Sequence, residues 1–82
     1  HNGGSYHVAT GTIEVTTTAQ EFNIVSDSSY VLFCNVENAD GVDATSPLVA
    51  LNSSNGTIGS AAGSVWIDGS TSATYHYTLG YI

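Results

Sequence analysis

Apolar and polar residues alternate with a period of two along most of this chain, and helical spacing is nearly absent. Tyr6 to Val15 reads as a first strand, with His7, Ala9, Gly11, Ile13 and Val15 on one face and Tyr6, Val8, Thr10, Thr12 and Glu14 on the other. A turn or bulge at Thr16 to Ala19 leads to a short strand, Glu21 to Val25, with Phe22 and Ile24 facing one way. The short polar side chains of Ser26 to Ser29 bond readily to their own backbone and predict a turn. Tyr30 to Glu37 is a third strand; it is apolar on both faces at its start, which predicts a central strand covered on both sides. After a long loop from Asn38 to Pro47 comes a fourth strand, Leu48 to Leu51. Asn55-Gly56 is a hairpin signal. Thr57 to Ala62 fits a short strand or one helical turn, and Val65 to Ile67 a fifth strand. In the last strand, Thr74 to Ile82, Tyr75, Tyr77, Leu79 and Tyr81 alternate with Thr74, His76, Thr78 and Gly80. Six or seven short strands with frequent turn signals predict a small antiparallel β-sandwich or barrel. Residues 1–5 read as a linker or cloning remnant, and residues 6–82 as a single domain.

The length, 82 residues, sharpens this picture. A domain of this size buries only about 60% of the surface its unfolded chain exposes, so its core is thin. Such domains are commonly reinforced by disulfides, metals or partner subunits. Cys34 is the sole cysteine, so no disulfide forms within the chain. Its place in the run Tyr30 to Cys34 marks it as a small buried hydrophobe.

Charge narrows the function classes. The chain has no Lys or Arg against seven acids, Glu14, Glu21, Asp27, Glu37, Asp40, Asp43 and Asp68, for a formal charge of −7. Nucleic-acid binding requires cations to neutralise phosphates, and anionic membranes attract the same cations, so both partners are excluded as expectations. The usual cationic clamp of phosphoryl transfer is missing too. The longest apolar run, Tyr30 to Cys34, is far too short to span or insert into a bilayer.

Candidate chemistry is sparse. Glu37, Asn38, Asp40 and Asp43 form an oxygen-rich loop that suits Ca²⁺, although the calcium-loop motif fails because Val36 and Pro47 hold its first and last positions. No other cofactor is expected. An N-terminal His1 can chelate copper through its amine and ring, as in copper-dependent polysaccharide monooxygenases, which the chain resembles at His1 alone. His7 and His76 become cross-strand neighbours if the first and last strands pair, but two histidines lack a third ligand. Serine and threonine abound without a Gly-x-Ser-x-Gly elbow, and so small a domain leaves little room for a catalytic cleft. The expectation is a non-catalytic protein. Two glycosylation sequons, at Asn52 and Asn55, fall in a turn expected to be exposed.

The aromatic residues offer two readings. Tyr75, Tyr77 and Tyr81 share a face with Leu79 and predict a core or an interface between copies. Trp66 and Tyr30 are the candidates for stacking on sugar rings. Gly11-Thr12-Ile13-Glu14-Val15, Gln20-Glu21-Phe22-Asn23-Ile24 and Tyr75-His76-Tyr77-Thr78-Leu79-Gly80-Tyr81 resemble the small C-terminal domains of phage tail or head fibres and those capping bacterial collagen-like proteins. That resemblance implies a compact, usually trimeric β-sandwich on a virion or cell exterior, in some cases binding a host receptor or glycan. A second resemblance is to subunits of extracellular filaments and pili, which donate strands to one another; residues 1–6 would be the donor. The leading expectation is a structural, self-associating domain of a virion fibre or surface filament. The first alternative is a carbohydrate-binding module, the second a copper protein through His1. With −7 on every copy, assembly is expected to improve with salt, Ca²⁺ or mild acid.

Overall fold

A computed structural model describes residues 6–39, 47–69 and 73–82. These residues form six strands: β1 (His7–Val15), β2 (Ala19–Phe22), β3 (Val31–Asn38), β4 (Leu48–Leu51), β5 (Val65–Asp68) and β6 (Ala73–Tyr81). Two three-stranded antiparallel sheets pack into a sandwich: sheet A in the order β1-β6-β3 and sheet B in the order β2-β5-β4. The all-β sandwich expected from the alternation is the fold observed.

Alternation sets which side chains meet. In β5, Val65 and Ile67 are fully buried while Asp68 is exposed. In β6, Tyr75 and Leu79 point inward, with Ala9, Ile13, Cys34 and Val36 packed around them from the flanking strands. Val15 and Val31 complete the buried set, and Phe22, Ile24, Val49 and Leu51 close it from sheet B and its flanks. Among the described residues six apolar side chains are buried, few for a domain, in line with the thin core that the chain length dictates.

Polar groups reinforce that core. Asn52, the first residue after β4, is 1% exposed. Its Oδ1 accepts from the backbone N–H of Val31 at 2.9 Å and of Gly63 at 3.2 Å, and its Nδ2 donates to the Val31 carbonyl at 2.9 Å. The carboxamide thus pairs with the edge of β3 as a neighbouring strand would, and ties the sheet B loop to sheet A. Its φ of 54° lies in the left-handed region that Asn tolerates better than most residues. The Asn52 carbonyl also accepts from Gly59 and Ala61, and Ser53 N–H donates to the Ser64 carbonyl. No buried side-chain polar atom among the described residues lacks a partner. In a domain without a disulfide, this amide cross-link joins the sheets where a covalent staple otherwise would.

Several local expectations are corrected. The second strand is Ala19–Phe22 rather than Glu21 to Val25; Gln20 Oε1 accepts from Thr16 N–H and Oγ1, holding the preceding turn short and bringing Ala19 into the ladder. β3 is an edge strand, and β6 takes the centre of sheet A. The register slips between Val31 and Phe33, so Leu32 and Phe33 together oppose Gly80, and both are exposed. The uninterrupted apolar run therefore reflects a bulge, not burial on two sides. Asn55-Gly56 is not a two-residue hairpin: residues 52–64 form one loop wound around the Asn52 carbonyl. Within it, Thr57 to Ala62 forms turns closed by the Ser60 N–H to Thr57 carbonyl bond.

Candidate functional site

The six-strand sandwich turns two faces outward. On sheet A, cross-strand register places Thr10, Thr78 and Asn35 in one outer row, then Thr12, His76 and Glu37, then Glu14 and Thr74. At the opposite end of this face the composition changes. Val8 and Phe33 flank Gly80, and Tyr30 pairs with Ile82 through two backbone hydrogen bonds. Among the described residues, five of the seven exposed large apolar side chains, Tyr6, Val8, Tyr30, Leu32 and Phe33, collect at this end. Gly80 makes their assembly possible: a Cβ there would collide with Phe33 Cε2 and stand 2.6 Å from the Tyr6 hydroxyl. Both side chains lie over the bare backbone instead. The face is thus graded, with aromatic and aliphatic surface at one end and Glu14 about 20 Å further along β1 at the other. Asp27, in the turn before Tyr30, is the nearest acid along the chain.

Sheet B presents a different surface. Glu21, Trp66 and Ala50 form one outer row, and Ala19, Asp68 and Leu48 the next. The 52–64 loop rises beside them and encloses a cleft of about 470 Å³ lined by Leu48, Val49, Ala50, Asn55, Gly56, Thr57, Trp66 and Asp68. The loop wall is tightly held. Ser53 Oγ accepts from Gly56 N–H at 2.8 Å and from Asn55 N–H at 3.4 Å, while Asn55 Oδ1 accepts from Thr57 N–H at 2.9 Å and from Ser60 Oγ at 3.3 Å. Gly56, with φ 97°, brings its backbone close to the indole; a Cβ there would lie 3.4 Å from Trp66 Nε1.

The residues singled out in the sequence are distributed differently than expected. Tyr75 is 3% exposed and Leu79 is fully buried within the single chain. They belong to the chain's own core and are not available to a second copy, because β6 is central and turns this row toward sheet B. Tyr77 and Tyr81 are half-buried on the same inner side. Tyr30 and Trp66 lie on outer faces of opposite sheets and do not form one stacking platform. Asn52 is not in an exposed turn; a glycan on its Nδ2 would break the bond to Val31. Asn55 is exposed. β1 and β6 do pair, but His7 faces Tyr81 and His76 faces Thr12. The two histidines are five positions out of register and on opposite faces, roughly 17 Å apart along the strand. His7 stacks on Tyr81 with ring centroids 5.2 Å apart.

In the acidic loop, Glu37 points outward beside His76 while its neighbour Asn38 pairs opposite Tyr75 on the inner side. Asp40 and Asp43 lie outside the described residues, as does His1. Among the described residues no three His, Cys, Asp or Glu side chains form a metal-ligating group. Burial pushes the Cys34 thiol up to about 11, as befits a small apolar residue packed beside Leu79. Composition did not single out the contributions of Val8, Leu32 and Gly80 to the apolar end, or of Thr57 and Asp68 to the cleft. The unbroken apolar run from Tyr30 was the one available signal. No protein-family model matches the chain, and no curated protein or solved structure matches it.

Proposed function

We propose that this chain is a non-catalytic assembly domain of a surface filament or virion fibre, and that copies associate through the apolar end of the outer face of sheet A. The observation that carries this reading is the gathering of Tyr6, Val8, Tyr30, Leu32 and Phe33 on one end of one face. Contiguous exposed apolar surface on a small domain marks an interaction site. Aromatic side chains at its centre match the composition of interface cores. The thin core supports the same reading, since association would remove further apolar area from water. Charge then sets the geometry. With seven acids and no cation on each copy, contact at the end remote from Glu14 and Glu37 keeps those carboxylates apart. A trimer is the order that the fibre resemblance implies.

Solution mass by light scattering tests this reading, with EDTA and with added Ca²⁺. A particle about three times the 8.4 kDa chain is expected. Retention of that mass in EDTA would assign assembly to the apolar end, and loss would assign it to the acidic loop. A monomer under all conditions would refute the proposal.

A further inference from the structure

We infer that the cleft over Trp66 on sheet B is a binding site for a neutral sugar, a function separate from assembly through sheet A. The floor supplies the stacking surface: Trp66 lies between Ala50 and Glu21 in register, and the small Ala50 lines the cleft beside it. The apolar C–H face of a pyranose ring stacks on such a surface. Polar groups surround it. The Trp66 Nε1–H and the Asp68 carboxylate have no hydrogen-bond partner among the described residues, and both line the cleft. The Asn55 amide oxygen is already committed to Thr57 and Ser60, which leaves its Nδ2 hydrogens as donors. The Thr57 hydroxyl completes a set of donors and acceptors of the kind that fixes sugar hydroxyls.

The volume, about 470 Å³, falls within the range of small-ligand sites. Preorganisation is built in, because Ser53 Oγ holds the Asn55 and Gly56 N–H groups and Asn55 Oδ1 holds Thr57 before any ligand arrives. Charge selects among sugars. Asp68 stands in the cleft, Glu21 flanks the indole, and the chain holds no Lys or Arg to balance an acidic sugar. Uronates and sulfated sugars are therefore excluded, and a neutral hexose or pentose chain fits.

Trp66 is the only tryptophan, so its fluorescence reports on the cleft directly. The test titrates the intact chain with cellohexaose, xylohexaose, mannohexaose and chitohexaose, and with a polygalacturonate oligomer as the anionic control. A saturable change in Trp66 emission is expected with at least one neutral glycan, and none with the polygalacturonate. Calorimetry with Trp66→Ala should show affinity reduced by about tenfold or more, and Asp68→Asn, a near-isosteric change at an exposed site, by several-fold. Val8→Glu, on the other sheet, should leave binding intact. Absence of saturation by every neutral glycan up to about 10 mM, equal binding of polygalacturonate, or full binding by folded Trp66→Ala would each overturn the inference.

Discussion

Sheets A and B each turn one face to solvent, and the two faces differ in what stands over them. Among the described residues no loop stands over the outer face of sheet A, and at its apolar end Gly80 has no side chain to lift Phe33 and Tyr6 away from the backbone. Sheet B carries the 52–64 loop, which builds a wall beside Trp66 and turns a flat face into a cleft. A flat apolar surface suits another flat surface, such as a second copy. A walled cleft with an indole floor and a polar rim suits a small ligand. The difference comes from the connection between strands, not from sheet composition: both outer faces mix apolar side chains with carboxylates.

The largest expected effect comes from cutting the tie between the base of the 52–64 loop and sheet A. Asn52→Ala leaves the Val31 and Gly63 backbone groups without their side-chain partner and places Ala at a φ of 54°. Stability is expected to fall by about 2–4 kcal/mol, lowering Tm by roughly 10 °C or more. Calorimetric melts read this, and an unchanged Tm would show that the amide link is dispensable.

A smaller effect sharpens the other side. Phe33→Ser removes an exposed ring from sheet A and should change monomer stability by less than about 1 kcal/mol. It should nevertheless weaken association by about tenfold, measured by sedimentation. Loss of stability without loss of association would mean that the ring serves the fold.

Ionic strength has a weaker influence. Copies carrying −7 repel one another, so raising salt from about 0.01 to 0.15 M, which shortens the Debye length from about 30 to 8 Å, should favour assembly several-fold. Neutral-glycan affinity at Trp66 should stay constant over the same range. A parallel salt dependence of the two would undo the distinction between the faces.

A further effect, confined to alkaline pH, concerns Cys34. Its folded-state pKa is raised from 9.0 to about 11 by burial. The folded chain therefore holds the thiol proton more tightly than the unfolded chain does. This contribution is complete below pH 9 and is lost as pH rises toward 11. In Cys34→Ala that part of the decline should vanish, as urea melts at pH 8 and pH 10.5 would show.

Strand positions were legible because alternation is a property of the local sequence: Tyr75, Leu79, Val65 and Ile67 declared themselves by spacing alone. Strand order was not, because it depends on which ladders pair, and the run from Tyr30 to Cys34 reads the same whether covered on both faces or bulged at an edge. Tyr75 and Leu79 were misplaced as a shared interface for that reason. Trp66 was recognisable as a stacking residue, yet its cleft was not, since Asn55, Gly56 and Thr57 reach it only through a loop folded around Asn52. A left-handed, buried asparagine looks, in sequence, like any asparagine in a polar turn.

The most direct test of assembly through the sheet A face compares the solution mass of two variants on one strand and one face. Val8→Glu puts a carboxylate into the apolar end; Thr12→Glu puts the same charge beside His76 at the other end. The account predicts that Val8→Glu is monomeric while Thr12→Glu keeps the mass of the unmodified chain. Equal masses for the two variants, whether both assembled or both monomeric, would contradict it.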